Sequence, residues 1–211
     1  MLGRARDWPR VDHPEVVRRS RIVVIDDSEF PYLKLFRRDG YNMDKWNDVR
    51  DLPALERGEY DVILLDLQGV GRSLSSDDQG LGVLAHLRET APAQIVVAYS
   101  NAEWSVAYQS FFESADAVLH KTKDDYMAFK RTVDQLLTER FSVGFYVDRA
   151  MAELGDMATD DLRKRTRQAI LRQRPDKLRH YLSGRVDDLV TVDRVIAVTG
   201  VAISVAQLWK S

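Results

Sequence analysis

RIVVIDD, residues 21–27, sets an unbroken β-branched run directly before two aspartates. The same pattern returns in DVILLD at 61–66, IVVAYS at 95–100 and ADAVLHK at 115–121. A strand with one wet face alternates apolar and polar residues. A run without that alternation belongs to a strand covered on both sides, as parallel strands are when crossover helices lie above and below the sheet. The strands read as 21–25, 41–46, 61–65, 94–99 and 115–119, with the run at 41–46 the least apolar. Amphipathic stretches between them predict helices at about 29–38, 50–58, 80–90, 103–114 and 124–139. Gly40 and Gly58 stand where the first two should stop. Ser28 is placed to cap the first helix, with Pro31 in its opening turn. The fold class expected is α/β, a five-stranded parallel doubly wound (βα)5 sheet, followed by an all-α C-terminal extension.

The chain of 211 residues falls into a lead segment (1–20), the sheet unit (21–139) and an extension (140–211) that is rich in helix formers and arginine. There is no cysteine, which excludes disulfides, thiolate metal sites and cysteine nucleophiles. The opening residues carry charges throughout and lack the apolar core of a secretory signal, so the expected location is cytoplasmic. The formal charge of −2 conceals an asymmetry. Residues 21–139 hold 13 basic and 21 acidic residues, whereas 140–185 hold 11 basic and 6 acidic.

The chemistry concentrates at strand ends. Asp26 and Asp27 follow the first strand and Asp66 the third. In an open parallel sheet, side chains at the carboxyl ends of neighbouring strands converge on one crevice. Three carboxylates there repel one another unless a cation intervenes, and Mg2+, a hard ion that takes carboxylate oxygens and accepts phosphoryl oxygens, suits them. A carboxylate beside Mg2+ can also act as a nucleophile toward phosphorus. Ser100 closes the fourth strand and Lys121 follows the fifth. A hydroxyl and an ammonium at the same edge can hold two oxygens of a transferring phosphoryl group. The four histidines have no metal-ligand spacing, and neither GVGR at 69–72 nor GLG at 80–82 is a nucleotide-binding fingerprint.

On these residues, the stretch from about 20 to 139 resembles the receiver domain of two-component response regulators. The resemblance implies that Asp66 accepts a phosphoryl group from a histidine kinase or phosphotransfer protein. It also implies that Asp26 and Asp27 bind Mg2+ together with Asp66 and the backbone carbonyl of Gln68, and that Ser100 and Lys121 are the hydroxyl and lysine of that site. Catalysis would be limited to self-phosphorylation and self-dephosphorylation, so no enzyme acting on a diffusible substrate is expected. Thr122 stands where the family has proline, and Val118 where it has an aromatic residue. The loop LQGVGRSLSSDDQG (67–80) is longer than the family's, and its glycines and serines suggest mobility.

For residues 140–211 the expectation is a protein contact or a homo-oligomer. Two other readings stay open: a phosphorylation-independent adaptor, and a DNA-binding regulator using the basic segment 163–185. The apolar run Val195–Ala206 is shorter than a membrane span and reads as a buried or dimeric helix. A membrane-associated tail is the remaining possibility for it.

Overall fold

The computed structural model describes residue 8 and residues 11–75, 77–101 and 109–208, and it divides into two compact units. One unit spans 12–137 and holds every strand among the described residues. Its elements run α1 (His13–Arg19), β1 (Arg21–Ile25), α2 (Leu33–Arg38), β2 (Asn42–Trp46), α3 (Leu52–Glu56) and β3 (Val62–Asp66). They continue with α4 (Gly80–Thr90), β4 (Ile95–Ser100), α5 (Gln109–Ser114), β5 (Ala117–His120) and α6 (Tyr126–Arg140), whose last turn passes the division. The strands pair in parallel in the order β2-β1-β3-β4-β5. That is a doubly wound arrangement in which the order reverses at β1 and β3, so ligands are expected above the carboxyl ends of those two strands.

Burial explains the strand sequences. β3 and β4 are buried along their whole length, and β1 everywhere except Arg21. Val23, Ile25, Ile63, Leu65 and Val96 face one layer, packed with Leu55, Val83, Leu84 and Leu87 from α3 and α4. The alternate residues Ile22, Val24, Leu64 and Val97 are equally buried, and this side carries an aromatic cluster of Phe30, Phe36, Tyr99 and Phe129. At Gly40 (φ +93°) and Gly58 (φ +70°), α2 and α3 stop in Schellman turns. In them Tyr41 N–H reaches Phe36 O and Glu59 N–H reaches Ala54 O.

Two expectations need correction. Ser28 does not cap α2, which begins at Leu33. Its amide donates to Asp26 Oδ1 (2.7 Å) and its hydroxyl to Asp27 Oδ1 (3.1 Å), so the acidic pair holds it. The loop after β3 is tied down where it begins. Gly69 N–H donates to Gln79 Oε1 (2.6 Å), Gly71 N–H to Asp48 Oδ1 (2.5 Å), and Val70 is fully buried. The helix expected at 103–114 is described from Gln109 on, its first part lying outside the described residues. In the lead segment, α1 belongs to the sheet unit, and the described residues 8 and 11 group with the C-terminal unit.

The second unit, 1–11 with 138–211, contains α7 (Val143–Leu154), α8 (Asp160–Arg172), α9 (Pro175–Ser183) and α10 (Leu189–Leu208). Ser142 and Thr159 accept from the backbone amides of Phe145 (3.1 Å) and Leu162 (3.3 Å), which fixes where α7 and α8 begin. α10 packs on α7, α8 and α9, burying Val192, Val195, Val198 and Ala202. At 20 residues it is long and apolar enough to cross a membrane by length and composition. Its charges are met inside the unit, Asp193 by Arg179 (2.6 Å) and Arg194 by Glu153 (2.7 Å). On α8 the Thr166 hydroxyl is fully buried and has no hydrogen-bond partner among the described residues. Thr166→Val keeps the side-chain shape and removes that unpaired group. It should stabilise the unit by about 1 kcal/mol, read as a higher denaturant midpoint at unchanged slope.

Candidate functional site

β1 ends at Ile25 and β3 at Asp66, and Ile25 and Leu65 are register partners, so the residues after them emerge side by side at the reversal of strand order. Asp26, Asp27 and Asp66 each offer an oxygen within 4.8 Å of the others. Asp26 and Asp66 are almost completely buried (1% and 3% exposed), while Asp27 opens to solvent. The structure therefore brings the three predicted carboxylates together in one edge site.

Lys121, directly after β5, reaches into the same place. Its ammonium donates to Asp66 Oδ2 (2.5 Å) and Asp26 Oδ2 (3.0 Å). Burial alone would lower the lysine pKa, but its two carboxylate partners reverse that and hold it above the ordinary value. Asp66 is pushed the other way: burial raises its pKa, and the bond from Lys121 offsets this only in part. Burial also acts against the charge on Asp26. Here the hydrogen bonds from Tyr99, Ser28 and Lys121 prevail and hold its pKa below the usual carboxylate range.

The two other predicted residues are placed differently. Gln68 turns its amide N–H to Asp66 Oδ1 (3.2 Å). Ser100 is buried at the last position of β4, and its carbonyl accepts from the Lys121 amide (3.1 Å). Ser100 borders a cleft with Phe112, Val118, Leu119 and His120, whereas Asp26, Tyr99 and Lys121 line another that includes Asn101. Ser100 and Lys121 are thus joined through the backbone at the site's rim. Thr122, in the position of the expected proline, follows a trans peptide bond.

Two residues of the site were missed in the sequence. Tyr99 is the register partner of Asp66 and donates its hydroxyl to Asp26 Oδ2 (2.5 Å). Within an apolar run it reads simply as core; its signal was a hydroxyl-bearing ring one residue before the strand end. Lys45, in β2, donates to the backbone carbonyls of Asp26 and Trp46 and lies 3.3 Å from Asn47 Oδ1. Burial lowers its pKa, countered in part by Asp26 and Asp27.

The donor set suits a divalent cation. It consists of hard carboxylate oxygens, and the Lys121 ammonium already stands among two of them as an organic cation would. The loop above is fitted as closely. A Cβ on Gly69, which has φ +82°, would lie 2.2 Å from Asp27 Oδ2, and one on Gly80 would lie 2.0 Å from the carbonyl oxygen of Asp66. Gly69 and Gly80 thus lie directly against Asp27 and the Asp66 backbone.

No protein-family model matches the chain, and no curated protein matches it. Among solved structures it is similar to the signal receiver domain of a putative Luxo repressor protein from Vibrio parahaemolyticus, at 21% identity over 58% of this chain and 92% of that one, TM-score 0.48. It is also similar to a CheY-like response regulator receiver domain protein from Methanospirillum hungatei, at 17% identity over 57% and 95%, TM-score 0.46. A third similar structure is the response regulator TrrA from Thermotoga maritima in complex with Mg2+ and BeF, at 23% identity over 56% and 98%, TM-score 0.41.

Proposed function

We propose that this chain is a signalling receiver that accepts a phosphoryl group on Asp66. The observation that carries the reading is the joint placement of Asp66, Asp26, Asp27 and Lys121 at the point where the strand order reverses. An Oδ of Asp66 attacks phosphorus in a phosphohistidine of a kinase or phosphotransfer protein. The P–O bond forms as the P–N bond breaks, and the histidine leaves with both electrons of that bond and takes a proton from water. Asp26, Asp27, Asp66 and the Gln68 carbonyl would hold Mg2+, which supplies charge neutralisation for phosphoryl oxygens against an acidic pocket. Lys121 exchanges its bond to Asp66 for one to a phosphoryl oxygen, and Ser100 at the rim supplies a hydroxyl to another.

The acyl phosphate carries about −1.5 to −2 charge where the carboxylate carried −1, and water undoes it, so the chain acts as a switch and not as an enzyme with a diffusible substrate. Residues 140–211 are read as the output, through a protein partner or self-association, in a cytoplasmic pathway. Beryllofluoride with Mg2+ is the test, applied to wild type and Asp66→Asn while melting temperature and solution mass are measured. The expected result is a higher melting temperature in the wild type, because a ligand bound only to the folded form adds stability, and none in the variant. A wild type that does not respond would sink the phosphoacceptor reading. A response without a change in mass would remove self-association as the output.

A further inference from the structure

The Asp26 carboxylate is already heavily engaged. A carboxylate offers about four acceptor directions. Oδ1 takes the Ser28 amide (2.7 Å), and Oδ2 takes both the Tyr99 hydroxyl (2.5 Å) and the Lys121 ammonium (3.0 Å). The three donors differ in how they can respond to a newly bound ion. Ser28 belongs to the same turn as the acids and moves with them. Lys121 shares itself with Asp66 on a flexible stem. Tyr99 is held from elsewhere: it is fully buried on β4, and its ring packs edge-on against Phe30 and Phe129 with centroids 5.8 and 5.9 Å away. It cannot withdraw from Asp26 without disturbing that cluster.

We propose that Tyr99 is a positioning residue that weakens cation binding at this site by holding an Asp26 oxygen on which a divalent ion would otherwise draw. This rests on the reading of Asp26, Asp27 and Asp66 as a cation site. A hydrogen bond to a carboxylate and a dication compete for the same electron density, whether the ion touches Asp26 directly or through one of its waters. The phenol therefore subtracts from the ion's affinity by a fixed amount and keeps Asp26 oriented while the site is empty of metal. Tyr99→Phe keeps the ring and its packing and removes only the competing donor.

The test is calorimetric titration of the full chain with Mg2+ alone, in wild type, Tyr99→Phe and Asp27→Asn. Tyr99→Phe should bind about tenfold more tightly than wild type, roughly the equivalent of one hydrogen bond to a charged group. Asp27→Asn should bind far more weakly. Equal or weaker binding by Tyr99→Phe, with saturable wild-type binding lost in Asp27→Asn, overturns the role of Tyr99 and leaves the cation site standing. Absence of binding in both wild type and Tyr99→Phe overturns the site and the role together. Binding only in Tyr99→Phe supports both. Should Tyr99→Phe fail to fold, the wild type still decides through its tyrosine difference spectrum during the titration. A change that saturates with the calorimetric midpoint is expected, and a flat spectrum across the binding curve overturns the proposal.

Discussion

Lys121→Met should lower the stability of the sheet unit by about 3 kcal/mol at pH 7, the scale on which breaking one side of a buried ion pair is felt. The lysine side chain is 20% exposed, and the carboxylates it serves, Asp66 and Asp26, are 4% and 2% exposed. Removing it leaves two charges out of water with their mutual repulsion unopposed. The pH dependence identifies the cause. In the wild type the lysine pKa lies above its ordinary value, so its contribution is fully present below the unfolded lysine pKa and fades only as pH rises through the folded one. Burial already raises the Asp66 pKa, and loss of Lys121 removes the interactions that lower it. In the variant the charged form of Asp66 therefore costs stability above the raised folded pKa. As pH falls through that value, Asp66 takes up a proton and the deficit shrinks before the ordinary carboxylate range near 4 is reached. Denaturant midpoints of wild type and variant should converge between pH 7 and about 4.5, and Mg2+ at pH 7 should recover part of the difference. A deficit independent of both pH and Mg2+ would mean that Lys121 acts by packing alone. Arg57→Met is the contrasting case: its partner is Glu59, both groups are well exposed, and the denaturant midpoint should stay where it is at every pH.

What the sequence disclosed follows from which forces act locally. A strand buried on both faces has to be a continuous apolar run, so RIVVI and DVILL located β1 and β3 to within a residue. Residues at the carboxyl ends of such strands converge by topology, so Asp26, Asp27, Asp66 and Lys121 could be assigned to one site before any coordinates. Interactions that close over long sequence separation left no such trace. The loop from 67 to 80 has the composition of a mobile segment, yet Gly69 is tied to Gln79 and Gly71 to Asp48, 23 residues away. Tyr99 is indistinguishable from a core aromatic until Asp26, 73 residues distant, is placed against its hydroxyl. In the extension, the apolar run Val195–Ala206 is only part of its helix. Helix α10 begins at Leu189 and runs through Asp193 and Arg194, whose charges Arg179 and Glu153 neutralise.

Gly80→Ala should cost about 3 kcal/mol and abolish the response to Mg2+. Gly80 opens α4 with a φ outside the left-handed region, so an ordinary side chain is not refused by its backbone conformation. It is refused by space. A Cβ would stand 2.0 Å from the carbonyl oxygen of Asp66 and 2.9 Å from Cα of Leu67, both of them backbone atoms in or next to a fully buried strand. A side-chain neighbour could rotate away; these atoms can move only if α4 lifts or the end of β3 shifts, which is overpacking at the upper end of its usual cost. Either movement displaces the peptides from Asp66 to Gln68, and with them the Asp66 carboxylate. Stability and cation binding should therefore fail together. Gly40→Ala separates this effect from that of glycine's conformational freedom. Gly40 has φ +93° and nothing within 4 Å of the added Cβ, so that change should cost about 1 kcal/mol through the backbone alone and leave the Mg2+ midpoint where it was. If Gly80→Ala proves no more damaging than Gly40→Ala, α4 does not rest on the Asp66 peptide as closely as these distances require. The placement of the Asp66 carboxylate would then have to be maintained by Lys121 and the strand alone.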